Sequence, residues 1–102
     1  MTALGLKKVT IVAEALLEDR IVRICHEQGA RGHTVTEARG EGSRGVRASE
    51  WEGKNVKIET IVDSGTADRI LTRVAEEYFL HYAVIAYVSD VHVLRGEKYT
   101  GE

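Results

Sequence analysis

The sequence predicts an α+β domain of βαββαβ order, the ferredoxin-like architecture, with a four-stranded antiparallel sheet and both helices on one face. Three observations predict it. A strand-period segment, a helix-period segment and a second strand-period segment follow one another twice along the chain. Two such units with right-handed crossovers close into this arrangement. The length of 102 residues suits one two-layer core and is too short for a doubly wound nucleotide-binding sheet with a substrate domain.

Residues 7–14 (KKVTIVAE) are β-branched and alternating, with Val9, Ile11 and Ala13 on one face and Thr10 and Val12 on the other, which predicts a strand. Residues 16–28 change period. Leu17, Ile21, Ile24 and Cys25 form one stripe, Glu18 and Asp19 stand where a helix dipole favours acids, and Gly29 is the C-terminal stop. Residues 32–39 (GHTVTEAR) return to period two. After Asn55 the pattern repeats with a strand over 56–62 (VKIETIV). A helix follows over 66–79, where Ala67, Ile70, Leu71, Val74, Ala75 and Tyr78 fill its stripe. Thr66 is the expected N-cap, with Asp68 in the first turn. Residues 83–93 (AVIAYVSDVHV) are nearly continuously apolar, as for a strand covered on more than one side. Residues 97–102 are expected to be a flexible tail.

With both helices on one face, the other sheet face is bare. It is expected to draw on Thr10, Val12, Thr36, Ile58, Thr60, Val62 and alternate positions of the last strand. That set is too apolar to face water, so a homo-oligomer is expected.

Composition narrows the function classes. Fourteen Lys and Arg against 16 Asp and Glu give a net charge of −2, so nothing global draws the chain to nucleic acid or an anionic membrane. The single cysteine, Cys25, cannot make an intramolecular disulfide. There is no signal-peptide core and no transmembrane run, so a cytoplasmic protein is the default.

Six of the ten glycines fall between Gly29 and Gly53, in a chain without proline. Residues 40–45 (GEGSRG) satisfy G-x-G-x-x-G, and Glu59 lies about twenty residues on, the dinucleotide spacing. The context rejects that reading, because the motif follows the second strand pattern and residues 46–55 (VRASEWEGKN) show no helical stripe. The physical point survives. Glycines let successive N–H groups aim at an anion, and Arg39, Arg44 and Arg47 against Glu41 give the stretch a local excess of positive charge. A solvated hairpin loop whose arginines pair with nearby Glu is the competing reading.

Other candidates are weaker. His26, His33, His81 and His92 show no i, i+4 pair and no nearby cysteine ligands, which argues against zinc. His26 directly follows Cys25 and points elsewhere on the helix, so Cys25 reads as a small core hydrophobe rather than a nucleophile. Glu76 and Glu77 read as a solvated helix face. Trp51 in a polar loop is either a half-exposed aromatic or a partner anchor. No catalytic acid–base pair is evident, so no catalytic residue and no metal ligand is assigned.

The strings GHTVTEARGEGSRGVR (32–47), KNVKIETIV (54–62) and YFLHYAVIAYVSDVHVLRG (78–96) resemble the PII signal-transduction superfamily. Within it the chain is most similar to the PII-like regulators of inorganic-carbon acquisition: the SbtB proteins and the carboxysome-associated PII proteins. The resemblance implies a single PII-like domain over residues 1–102 that forms a homotrimer. It also implies adenine nucleotides in clefts between subunits, bicarbonate as a further ligand, and a partner-docking T-loop, here residues 39–55. By position, Thr34 and Ile61 would line the adenine pocket and Glu59 would face the ribose. Gly42, Ser43, Arg44 and Arg47 would hold phosphate, and Trp51 would sit near the effector tip.

Departures from the family pattern shape the expectation. The glycine-rich loop with its lysine, which grips the outer phosphates of ATP in PII proteins, is replaced by HYAV (81–84). That favours AMP, ADP or cyclic AMP over ATP. The modified T-loop tyrosine has no counterpart, Glu41 stands where SbtB proteins carry lysine, and the chain ends GEKYTGE without a cysteine hairpin. The expectation is a non-catalytic, cytoplasmic nucleotide sensor without a cofactor, acting on a bicarbonate transporter or a carboxysome component. It is expected neither to bind nucleic acid nor to insert into a membrane. A slow nucleotide phosphohydrolase and a nucleotide-indifferent assembly protein of a carbon-fixing compartment are the alternatives.

Overall fold

The first strand, β1, runs over Leu4–Glu14 and begins earlier than its apolar run, because Leu4, Gly5 and Leu6 pair with Val93, His92 and Val91 of the last strand. The computed structural model describes residues 4–40 and 54–100. A 3₁₀ turn at Ala15–Leu17 feeds α1 (Glu18–Glu27), which turns Ile21, Ile24 and Cys25 inward. Gly29 ends that helix at φ 120°, a conformation that costs glycine little. There its N–H donates to the His26 carbonyl at 3.1 Å, and that of Ala30 donates to the Cys25 carbonyl at 2.9 Å.

The second unit follows β2 (Thr34–Ala38) and consists of β3 (Asn55–Val62), α2 (Ser64–Tyr78) and β4 (Ile85–Val93). The sheet order is β2-β3-β1-β4, and each neighbouring pair is antiparallel. This is the expected ferredoxin-like topology. The N-cap of α2 is Asp63 rather than Thr66. The Asp63 carboxylate accepts the Thr66 N–H at 2.8 Å, so the helix starts a turn earlier and Thr66 lies inside it, buried.

Register decides which residues meet the helices. Val9, Ile11 and Ala13 stand opposite Thr60, Ile58 and Val56, so these share one face, and that face carries the core. Ile11, Leu17, Ile21, Ile58 and Ile70 are all fully buried there, each worth about 1.5–3 kcal/mol of transfer free energy. Ile58, Thr60 and Val62 therefore lie on the covered face, not the bare one. The bare face takes Lys57, Glu59 and Ile61 from β3, because Thr10 pairs with Glu59 and Lys8 with Ile61.

β4 is an edge strand, so its apolar run is not covered within one chain: Ile85 and Tyr87 are 54% and 48% exposed. Thr10 at the centre of the open face is fully buried, and its hydroxyl has no partner among the described residues. Glu97–Thr100 form a helical turn, α3, that packs on β3. No helix among the described residues is long and apolar enough to cross a membrane.

Candidate functional site

The open sheet face is not flat at the Thr34 end of the hairpin formed by β2 and β3. Thr34 stands opposite Glu59, and Ile61 opposite Lys8, so these four share a surface. The link between α1 and β2 rises on one side of it and α3 on another. Together they enclose a cleft of about 440 Å³ lined by Lys8, Arg31, Gly32, His33, Thr34, Glu59, Thr60, Ile61, Lys98 and Tyr99. That volume falls in the range of small-ligand pockets.

Lys8 Nζ lies 3.3 Å from Glu59 Oε2, the one carboxylate among the described lining residues. Arg31 and Lys98 also stand in the lining, and neither is held in an ion pair among the described residues, so the cleft favours an anionic ligand. Ile61 gives an apolar surface for a flat ring, and Thr34 a hydroxyl that can donate or accept. The wall is pinned: Thr60 Oγ1 donates to the Gly32 carbonyl at 2.6 Å, and Arg69 Nη2 donates to the Gln28 carbonyl at 3.1 Å.

Thr34, Glu59 and Ile61, singled out from the sequence, are thus brought to one recess. Gly42, Ser43, Arg44, Arg47 and Trp51 lie outside the described residues. They belong to the connection that leaves β2 and enters β3 at the other end of the hairpin, where Ala38 pairs with Asn55. Along the strand that is about 13 Å from Thr34 at 3.3 Å per residue. Lys8, Arg31, His33, Lys98 and Tyr99 were missed. Lys8 is recognisable only from the register, and Lys98 and Tyr99 sit in a turn whose sequence carries no periodic signal.

Cys25 is fully buried, and burial pushes its thiol up to about 11, so it is a core side chain held as the unreactive thiol. Among the described residues no group of three or more His, Cys, Asp and Glu could hold a metal ion. Residues 81–84 fold back on α2. The Tyr82 N–H donates to the Tyr78 carbonyl at 2.9 Å, and the two rings meet edge to face at 5.7 Å. Outside the cleft, Lys7 pairs with Asp90 and holds that carboxyl below the usual range.

Fold and cleft define a ferredoxin-like domain with a cationic recess on its open sheet face. The chain belongs to the P-II family, whose description, Nitrogen regulatory protein P-II, matches residues 6–98. It is similar to a PII-like signaling protein of Thermus thermophilus, at 61% identity over 97% of this chain and 99% of that one, with a TM-score of 0.85. At 21% identity it shares the fold of CPII from Thiomonas intermedia, over 96% of each chain with a TM-score of 0.83; that protein was solved with ADP, AMP and bicarbonate. The GlnK–ATP complex of B. subtilis is similar at 15% identity over 85% of this chain and 82% of that one, with a TM-score of 0.63.

Proposed function

We propose that the protein is a non-catalytic, trimeric sensor of adenine nucleotides in which AMP, ADP or cyclic AMP, rather than ATP, occupies the cleft. The observation that carries this reading is the convergence of Thr34, Glu59 and Ile61 on one recess with Lys8, Arg31 and Lys98. The adenine lies against Ile61 within reach of Thr34, and the ribose hydroxyls donate to Glu59. The phosphates run toward the β2–β3 connection, where Gly42 and Ser43 offer backbone N–H groups and Arg44 and Arg47 clamp. A second subunit closes the cleft and covers the exposed apolar residues of β4.

The cationic lining of the cleft and the ligands of CPII support the choice of ligand class, with bicarbonate as a second ligand. Preference against ATP follows from the 81–84 connection, which is committed to packing on α2 and carries no lysine. Binding selects one conformer of the 39–55 segment, and only the difference in ligand affinity between its conformers can change partner affinity. The output is control of inorganic-carbon uptake or of a carboxysome in the cytoplasm, through a transporter or shell partner.

Calorimetry with AMP, ADP, cyclic AMP and ATP tests the proposal, together with sedimentation for the trimer. Micromolar binding of a mono- or diphosphate, lost by at least tenfold in Arg44→Ala/Arg47→Ala, is expected. If no nucleotide binds more tightly than millimolar, or the double variant binds as well as the parent, the sensor reading is wrong.

A further inference from the structure

Between Gln28 and His33 the chain belongs to neither helix nor strand, so its carbonyls have no ladder to join and need other donors. Side chains from three different elements supply them. Arg69 Nη2 of α2 donates to the Gln28 carbonyl at 3.1 Å. His26 Nδ1 of α1 lies 2.9 Å from the Ala30 carbonyl oxygen, and because a carbonyl only accepts, the ring nitrogen is the donor. Thr60 Oγ1 of β3 donates to the Gly32 carbonyl at 2.6 Å. The held carbonyls are every second one along the link. Arg31 alternates with them, His33 and Thr34 follow, and all three of these line the cleft.

Of the three ties, Arg69 is the one that crosses from the other helix. Its Nη2 carries two hydrogens, and both are committed, one to Gln28 and one to Thr66 Oγ1 at 3.0 Å. Thr66 is buried and its N–H is capped by Asp63, so the first turn of α2 holds the guanidinium from behind. Gly29 lets the link pass close to it. A Cβ there would lie 3.5 Å from Thr66 Oγ1 and 3.9 Å from Arg69 Nη2. Arg69 does not itself line the cleft. It reaches the cleft wall from the helix-covered side of the sheet.

We propose that Arg69 is a positioning residue for the ligand. By fastening the end of α1 to α2, it sets the wall formed by residues 31–34 before a ligand arrives, and so governs affinity without touching the ligand. This rests on the cleft being the nucleotide site of the preceding section, where adenine and ribose meet this wall and the phosphates leave toward the β2–β3 connection. A wall ordered in advance removes the free energy of ordering it from the binding step. One tie of ordinary hydrogen-bond strength corresponds to about a fivefold change in affinity. The loss on removing it is the same for adenosine, AMP and ADP, because the phosphates do not meet the wall. A guanidinium that acted by its charge would instead matter more with each added phosphate.

The test is calorimetric titration of the parent, Arg69→Met and Arg73→Met with adenosine, AMP and ADP, at a temperature where melts show all three proteins folded. Methionine keeps an apolar stem and removes the donors and the charge. Arg73 lies one turn further along α2 and pairs with Glu77 at 2.6 Å, so its variant controls for the loss of a surface arginine. Arg69→Met should bind all three ligands about fivefold more weakly, and Arg73→Met should bind them as the parent does. Unchanged affinity in Arg69→Met, with or without a lowered Tm, overturns the proposal and leaves Arg69 a purely structural residue. A loss that grows with the number of phosphates, or an equal loss in Arg73→Met, overturns it too. Hydrogen exchange of the ligand-free proteins provides the independent arm. The amides of residues 29–34 should exchange faster in Arg69→Met than in the parent, and equal exchange counts against the tie. If the parent binds none of the three ligands, the nucleotide reading falls, and the exchange result alone then decides whether Arg69 holds the wall.

Discussion

Asp63→Ala tests how the second helix is started and how that start reaches the cleft. The Asp63 carboxylate accepts the Thr66 N–H at 2.8 Å. The Thr66 hydroxyl accepts from Arg69 Nη2 at 3.0 Å, and the same nitrogen donates to the Gln28 carbonyl at 3.1 Å. Removing the carboxylate leaves an N-terminal helix donor to solvent and loosens this chain of bonds to the α1–β2 link. Loss of such a cap costs about 1 kcal/mol, which in a domain of this size lowers Tm by about 4–8 °C.

The pH dependence has a definite sign. Hydrogen bonds from the Thr66 backbone, then from its side chain, and the nearby Arg69 charge hold the Asp63 carboxyl below its usual value. A depressed carboxyl contributes stability that is present above the unfolded-state value, about 3.9, and is lost as pH falls through the folded value. Thermal melts of Asp63→Ala, Asp63→Asn and the parent at fixed protein concentration provide the assay. At pH 7 the alanine variant should melt lower by the stated amount. Asparagine, which still caps, should lie close to the parent at pH 7, and the parent's small advantage over it should vanish in acid. An alanine variant within about 1 °C of the parent at pH 7 would refute the capping argument.

Three further outcomes are expected. Ile58→Ala empties a fully buried site on the covered face and should cost about 2–5 kcal/mol in urea unfolding; a loss under about 1 kcal/mol would place Ile58 on the open face instead. Gly29→Ala meets only ordinary contact with Thr66 Oγ1 at 3.5 Å but holds φ at 120°, so backbone strain rather than crowding should destabilise it by about 1–2 kcal/mol, readable as a lowered urea midpoint. Trp51→Ala should weaken capture of the partner several-fold while ADP affinity stays unchanged, and equal partner binding by the variant removes Trp51 as an anchor.

The order of elements was legible because period two and period 3.6 are local properties of the chain. Val9, Ile11 and Ala13 declare a strand face, Ala67, Ile70, Val74 and Tyr78 a helix stripe, and Gly29 a stop, without reference to anything distant. The resemblance carried by residues 32–47, 54–62 and 78–96 also pointed to the right family. The cap was misplaced by three residues because Asp63, Ser64 and Thr66 all suit an N-terminus, and only the hydrogen bond from the Thr66 N–H selects among them.

The sequence by itself determined which segments pair with which helices and that one sheet face would stay open. Only the tertiary structure decided which residues lie on that face, because register between strands far apart in the chain is set by packing, and a shift of one residue sends every side chain to the opposite side. That is why Ile58 and Val62 moved to the core while Glu59 and Ile61 came to the cleft. It is also why Lys8, His33, Lys98 and Tyr99, spread over the whole chain, meet around one recess that no local pattern announces.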